Sequence, residues 1–180
     1  MSIEFAILGL LVHQPLSGYD LKKIISRSNT FYWSGNNNQI YHELISLHKD
    51  GFLSQEIIYQ ESKPPRKIYA ITESGKAKLI VWLRSKPLPP ERKHPFLIQL
   101  AWANLLSESE ADELLASYEE EISAQLIMAQ NQDISITENQ ISSPRQAFFW
   151  DQIQKNWVGF YRSELVWVQS IRKELANMAN

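Results

Sequence analysis

The chain of 180 residues can hold one ordinary domain or two small ones, and its 44% apolar content is enough to build a core. It contains no cysteine, which excludes disulfides, thiolate nucleophiles and thiolate zinc sites and is typical of a reducing cytoplasm. The longest apolar run, residues 5–12, is too short to span a bilayer, and no Lys or Arg precedes it as in a signal peptide. We therefore expect a cytoplasmic protein with no membrane segment.

The net charge of −2 conceals an asymmetry between the two halves of the chain. Residues 1–86 carry 11 Lys/Arg against 7 Asp/Glu, a balance of +4, whereas residues 87–180 carry 7 against 13, a balance of −6. A basic half joined to an acidic half suggests that the N-terminal half meets a polyanion.

Two short helices are predicted at the start of the chain. The first runs from Ser2 through Val12, and Pro15 ends it because the residue before a proline disfavours helical geometry. Ser17 then caps a second helix, with Asp20 at its third position as a weak capping box. The buried side of this second helix is predicted to consist of Tyr19, Leu21, Ile24 and Ile25.

Residues 33–51 predict a third helix with an unusual polar face. Ile40, Leu44 and Leu47 recur at the spacing of one helical stripe, and Gly51 follows where helices commonly stop. The other face carries neutral hydrogen-bonding side chains, and amides match the donor and acceptor of adenine in the major groove. The helix is therefore predicted to read DNA, although Asn36 or Ser34 could instead cap it. The predicted DNA contacts on this helix are Asn36, Asn37, Asn38, Gln39, Tyr41 and His42.

A hairpin is predicted to follow this helix. Residues 52–60 and 67–71 are rich in β-branched and aromatic side chains, and residues 61–66 have turn chemistry. A two-stranded hairpin directly after a recognition helix is a wing. Lys63, Arg66 and Lys67 at its tip are predicted to contact the DNA backbone or the minor groove. The alternative is that these cations only keep the hairpin tip soluble. Thr72 then opens a fourth helix, whose predicted apolar side is Leu79, Ile80, Trp82 and Leu83.

Residues 4–83 resemble the N-terminal winged helix of the PadR family of transcriptional regulators. The matching blocks are residues 7–11 (ILGLL), 15–21 (PLSGYDL), 39–53 (QIYxxLxxLxxxGFL) and 66–75 (RKIYAITESG). Many family members have a proline after the tyrosine of the third helix, where this chain has His42. With that departure, the chain looks more similar to the AphA-type virulence-activator branch than to the shorter phenolic-acid repressors.

Residues 87–95 contain four prolines and are predicted to form a semi-rigid linker between a winged helix-turn-helix domain (1–86) and a helical domain (96–180). The helical domain is predicted to contain a compact helix over 94–106, a longer helix opened by a capping box at Ser107 and Glu110, and a loop over 130–142. Ser143 and Pro144 then start a final helix of about 30 residues.

The final helix has apolar residues on more than one face, so it is predicted to pack against its own chain and against a second subunit. Resemblance to the C-terminal helical, coiled-coil-like domain of the AphA-type branch implies a homodimer joined through this region. The predicted dimerisation residues are Trp150, Ile153, Trp157, Phe160, Tyr161, Trp167, Val168 and Ile171. An alternative use of the tryptophans is a pocket for an aromatic or cationic ligand, with Trp102 and Trp157 as its first candidates.

Enzyme activity is not expected. The four histidines lack partners at metal-ligand spacing, and the six glycines form neither a phosphate-binding loop nor a nucleophile elbow. No catalytic residue, cofactor or metal is therefore predicted.

These patterns together predict a mainly α fold and a homodimer that binds a pseudo-palindromic site on duplex DNA to control transcription. Two alternatives remain open. One is a ligand-responsive repressor of the same fold that senses small aromatic or cationic molecules at the C-terminal dimer interface. The other is a protein-interaction module that has kept the fold and lost DNA binding.

Overall fold

The computed structural model describes residues 3–27, 38–60, 63–90, 94–131 and 143–178. The chain divides into two compact units, Met1–Leu88 and Pro89–Asn180, and the division falls inside the proline-rich segment predicted as a linker. Within the described ranges, no helix combines the length and the apolar character needed to cross a bilayer. The described residues are mainly helical and form one small sheet, which confirms the predicted fold class.

The N-terminal unit is a winged helix. Its three strands form an antiparallel sheet in the order β1-β3-β2. In chain order its elements are α1 (Ile3–Leu11), β1 (Leu16–Ser17), α2 (Gly18–Arg27), α3 (Asn38–Lys49), β2 (Leu53–Gln60), β3 (Lys63–Ile71) and α4 (Glu73–Leu83).

One hydrophobic core joins the first three helices to the sheet, and α3 contributes Ile40, Leu44 and Leu47 to it, as predicted. The predicted buried face of α2 is wrong at Tyr19, whose side chain is 67% exposed. Leu21 and Ile25, four residues apart, form the buried stripe of α2. Tyr19 lies two residues before Leu21, which is about 200° around the helix and therefore on its outer side.

The predicted apolar side of α4 is only partly correct. Leu79 is buried, but Ile80, Trp82 and Leu83 are exposed over more than two fifths of their surface, because a run of consecutive apolar residues winds around a helix and only one stripe can face the core. Trp82 nevertheless stacks on Phe5, with ring centroids 4.4 Å apart. At the start of the helix, a Cβ on Gly75 would lie 2.3 Å from the carbonyl oxygen of Phe52, so this close approach requires glycine.

The wing differs from its prediction at its tip. The residues predicted as a turn over 61–66 begin β3 already at Lys63, and a register shift lies between Ile58 and Gln60. Nitrogens of consecutive strand residues point to opposite sides, so Pro64 and Pro65 face different neighbours of β3. Both fit, because β1 pairs only with Ile68 and Tyr69, and the register shift between Ile58 and Gln60 leaves β2 without a partner at the prolines. The two-residue strand β1 was not predicted, since its pairing with β3 depends on a partner about fifty residues away.

The C-terminal unit consists of helices. They are α5 (Pro95–Ala101), a 3-10 turn (Ala103–Leu105), α6 (Glu108–Asn131) and α7 (Pro144–Met178). The prediction of one continuous helix over 94–106 is wrong, because the chain leaves α-helical geometry at Trp102 and continues with i to i−3 hydrogen bonds. Helix α6 ends at Asn131, so its last two residues occupy the start of the predicted loop, and residues 132–142 lie outside the described ranges.

The predicted helix starts in this unit are confirmed. Glu110 Oε2 accepts hydrogen bonds from the backbone N–H (2.8 Å) and the hydroxyl (2.6 Å) of Ser107, as a capping box requires. Ser143 Oγ accepts from the N–H of Gln146 at 3.2 Å, and Pro144 occupies the first position of α7. Helix α7 is 35 residues long.

Candidate nucleic-acid interface

The outward side of α3 carries polar side chains at four of the six positions predicted to contact DNA. The exposed members are Asn38, Gln39, Tyr41 and His42. Asn36 and Asn37 lie outside the described residues. Because Ile40, Leu44 and Leu47 anchor the opposite side in the core, the polar face is presented on a firmly packed helix.

The only carboxylate of α3 lies on its half-buried side. Burial raises the pKa of the Glu43 carboxyl, and the nearby Glu4 carboxylate raises it further. Lys78, whose Nζ is 2.7 Å from Glu4 Oε1, opposes this shift. The exposed face of α3 therefore carries no carboxylate, which suits a surface that approaches phosphates.

The end of α3 is joined to the wing by a hydrogen-bonded helix stop. Gly51 has a φ of +78°, and its N–H donates to the carbonyl of His48 at 3.1 Å. The N–H of Phe52 donates to the carbonyl of Leu47 at 2.9 Å, which completes a Schellman motif. His48 Nδ1 lies 2.9 Å from the carbonyl oxygen of Leu53, so this histidine links α3 to the first residue of β2.

The Tyr41 side chain is partly exposed, but one part of its ring packs against the protein. A Cβ on Gly18 would lie 2.7 Å from Cε1 of the Tyr41 ring, so the ring rests directly on the backbone at the start of α2. Burial raises the pKa of the Tyr69 hydroxyl, and the nearby Tyr41 adds to this shift, which places the two phenols close together. The position of the Tyr41 ring is therefore set by packing within the protein.

The three cations predicted at the wing tip are not equivalent. Lys67 is exposed, and Lys63 is the first residue of β3. The Arg66 guanidinium forms an ion pair with Asp20 of α2. The wing also exposes Ile57, Ile58 and Tyr59, which the sequence indicated only as strand formers. Three consecutive large residues cannot all face one side of a strand, so some exposure could have been foreseen.

The predicted dimerisation residues of α7 fall into two groups. Trp167, Val168 and Ile171 belong to a core within one chain, built around Phe96 and Leu115, and Val168 is 0% exposed. The other five are half-buried, namely Trp150, Ile153, Trp157, Phe160 and Tyr161. The same helix exposes further large apolar side chains that were not predicted as interface residues, namely Phe148, Phe149 and Val166.

The two tryptophans predicted to line a ligand pocket have different surroundings. Trp102 is 66% exposed at the end of α5. Trp157 stacks on Tyr161 (centroids 6.0 Å apart, 24° between planes) and contacts Phe160 edge to face. No ring contact joins Trp102 to Trp157 among the described residues. In the same parts of the chain, no group of three or more His, Asp or Glu side chains could hold a metal ion.

A winged helix whose third helix has a polar exposed face without a carboxylate, followed by a helical unit, is typical of winged-helix transcriptional regulators. The sequence model described as "Transcriptional regulator PadR-like family" matches residues 7–80. A structure of Bacillus subtilis PadR in complex with operator DNA is 30% identical, covers 96% of this chain and 98% of that chain, and has a TM-score of 0.81. The chain belongs to the PadR-like family of transcriptional regulators, which are not enzymes.

Curated relatives match over part of their length. The "Negative transcriptional regulator PadR" of Bacillus subtilis (strain 168) is 37% identical over 113 residues, which cover 62% of either chain. A probable transcriptional regulator of Mycobacterium tuberculosis is 35% identical over 92 residues, 51% of this chain and 48% of that protein. The sequence match therefore spans less than two thirds of both relatives.

Two further structures bear on the predictions. Bacillus subtilis PadR in complex with p-coumaric acid is 29% identical, covers 97% of this chain and 98% of that chain, and has a TM-score of 0.75. The Vibrio cholerae virulence activator AphA is 21% identical over 98% of this chain and 99% of that chain, with a TM-score of 0.70. At this identity the likeness to AphA shows the fold alone.

Proposed function

We propose that the protein binds duplex DNA sequence-specifically as a homodimer and thereby regulates transcription in the cytoplasm. The observation that carries this proposal is the exposed face of α3, which presents amide, phenol and imidazole groups and no carboxylate. The opposite face of the helix is buried in the core. The structure of a relative bound to operator DNA supports it.

Within α3, the N-terminal residues are proposed to read bases. Asn38 and Gln39 occupy the end of the helix that contacts base edges in helix-turn-helix proteins, and amides pair with adenine in a bidentate manner. Tyr41 and His42 are proposed to donate to phosphates, which position the helix without specifying sequence. Of the wing residues, Lys63 and Lys67 are proposed phosphate contacts. Asn36 and Asn37 directly precede the helix and are proposed to add to the base contacts.

The experiment that tests DNA binding uses a duplex selected from a random-sequence pool by the unmodified protein. Gln39→Ala is expected to weaken binding by about 1–3 kcal/mol and to relax the preference at one base pair. Gln99→Ala, an exposed amide of α5, is the matched control and should leave affinity unchanged. Failure of the unmodified protein to enrich any sequence would refute the proposal.

The dimer is proposed to form through α7. Apolar residues remain accessible on this helix after it has packed against its own chain, and large exposed apolar patches commonly mark protein interfaces. Two-fold symmetry would then place two α3 helices in successive major grooves, roughly 34 Å apart.

The test of this dimer is a charge introduced on the exposed face of α7. Val166→Glu should convert the dimer to a monomer in light scattering, because Val166 is 62% exposed in one chain and a charge there would be buried between two. Asn177→Glu makes the same change of charge at an exposed polar position near the end of α7 and should leave the dimer intact. A Val166→Glu protein that stays dimeric would exclude this face as the interface.

A second candidate is that the same regulator responds to a small aromatic molecule at the dimer interface. It is favoured by the partly accessible aromatic cluster of Trp157, Phe160 and Tyr161 and by the complex of a relative with p-coumaric acid. Titration with p-coumaric acid should quench tryptophan fluorescence, and Trp157→Phe should remove most of the change. If Trp102→Phe removes it instead, the site lies at the end of α5, and an unquenched wild-type protein would count against a response to this compound.

A further inference from the structure

The start of α2 is joined to the wing by a polar cluster of Ser17, Asp20 and Arg66. Asp20 Oδ2 accepts hydrogen bonds from the hydroxyl (2.7 Å) and the backbone N–H (3.3 Å) of Ser17, and the N–H of Asp20 donates back to Ser17 Oγ at 3.2 Å. The Arg66 guanidinium forms an ion pair with the same carboxylate oxygen and donates to Ser17 Oγ at 3.4 Å. One oxygen thus holds both the capping box of α2 and a side chain of the wing.

The charges in this cluster offset each other. Burial favours the neutral form of Asp20, but hydrogen bonds from Ser17 and Arg66 outweigh it and hold the pKa of the carboxyl below its usual value. Asp20 is therefore ionised at neutral pH, and the Arg66 charge already has a partner within the protein. A DNA phosphate could form an ion pair with the Arg66 guanidinium only if the pair with Asp20 were broken.

The position of the cluster in the fold connects both parts of the DNA interface. Arg66 lies opposite Ile58 on β2, next to the register shift that precedes the wing tip. At the same end of α2, Gly18 supports the ring of Tyr41 from α3. The first turn of α2 therefore touches the recognition helix on one side and strand β3, near the tip of the wing, on the other.

We propose that Asp20 is a positioning residue for DNA binding, and that Arg66 acts through Asp20 rather than through a phosphate. By holding Arg66, the carboxylate fixes the angle of the wing against α3, so that Lys67 meets the backbone while α3 lies in the groove. This role rests on the proposed DNA-binding function, and it replaces the direct phosphate contact predicted for Arg66.

Two single variants and their double variant test the proposal on the selected duplex. Asp20→Asn keeps an acceptor for Ser17, so the cap of α2 is retained, but it removes the charge that holds Arg66. It should weaken DNA binding roughly 3- to 30-fold although it makes the protein more positive. Arg66→Gln should weaken DNA binding by a similar factor. The double variant should bind no more weakly than either single variant, because both changes break one interaction.

The salt dependence separates positioning from phosphate contact. Removing a cation that neutralises one phosphate should shallow the slope of log K against log salt by about 0.9, which is the expectation for the control Lys67→Gln. Arg66→Gln and Asp20→Asn should change the slope by the same amount, because each breaks the same ion pair and displaces the same part of the wing. Arg66→Gln leaves the side chains of Ser17 and Asp20 in place, so it tests the proposal even if Asp20→Asn proves unstable in thermal melting.

Three results would overturn the inference while leaving DNA binding itself intact. They are an Asp20→Asn protein that binds as tightly as the wild type or more tightly, an Arg66→Gln protein with unchanged affinity, and an Arg66→Gln protein whose slope is shallower than that of Asp20→Asn. If the unmodified protein selects no sequence, the proposed function fails first, and the role of Asp20 fails with it.

Discussion

Tyr118→Phe is the change that tests the helical unit most directly. The Tyr118 hydroxyl lies between two elements, donating to Glu164 Oε2 of α7 at 2.9 Å and lying 3.0 Å from Nε2 of His94, which directly precedes α5. Its ring stacks on Phe96, with centroids 3.7 Å apart. Phenylalanine keeps this stacking and removes only the hydroxyl, so the variant isolates the polar junction.

The expected loss of stability depends on the two groups, Glu164 and His94, that lose the hydroxyl as a partner. Hydrogen bonds to charged groups contribute about 1.5–3 kcal/mol, and leaving a partly buried carboxylate without its donor costs as much again in the worst case. Glu164 and His94 are 18% and 22% exposed, so water replaces part of the missing interaction. We expect a decrease of about 1–2 kcal/mol in the free energy of unfolding, or about 5–10 °C in the melting temperature of a unit of this size.

The same variant has a signature at alkaline pH. Burial raises the pKa of the Tyr118 hydroxyl most, and the hydrogen bond and charge of Glu164 raise it further above the usual value of 10.0. A group whose pKa is raised on folding stabilises the fold fully below its unfolded pKa and loses that contribution as pH rises toward the folded pKa. The wild type should therefore lose stability faster than Tyr118→Phe above about pH 10.

The assay is thermal unfolding by circular dichroism at neutral pH and over a series from pH 9 to 11. Tyr59→Phe, at a wing residue that is 81% exposed, is the matched control and should match the wild type. The reasoning is refuted if Tyr118→Phe has the same melting temperature as the wild type at neutral pH. It is also refuted if the difference between the two proteins stays constant across the alkaline series.

Two further changes test the winged helix. Leu44→Ala removes a fully buried side chain of α3 and should lower the free energy of unfolding in urea by about 2–5 kcal/mol. Ile45→Ala, on the exposed side of the same helix, should stay within about 0.5 kcal/mol, and equal losses in both variants would contradict the assigned face. Gly51→Ala should cost about 1–2 kcal/mol for the backbone alone, because φ is +78° and no atom lies within 4 Å of the added Cβ. Gly51→Asn should recover part of that loss, and an alanine variant as stable as the wild type would show that the helix stop does not need glycine.

Features that depend on neighbours within one or two helical turns were predicted from the sequence by itself. The capping boxes at Ser17 and Ser107, the start at Ser143 and the stop at Gly51 all appear where the residue types indicated. These features can be predicted because a cap or a helical stripe is formed by residues three or four positions apart, so the sequence shows both partners directly.

Tertiary structure decided which apolar and charged side chains can contact DNA or a second subunit. The sequence predicted Arg66 as a DNA contact at the wing tip, but its guanidinium pairs with Asp20, which is 46 residues away in the chain. It predicted Val168 as an interface residue, but α5 and α6 enclose it within one chain. It could not show that Glu43 turns away from the DNA-facing side or that Tyr41 rests on Gly18. Contacts between distant residues leave no periodic trace in a sequence, so only the folded chain determines which predicted side chains remain free to meet DNA or a second subunit.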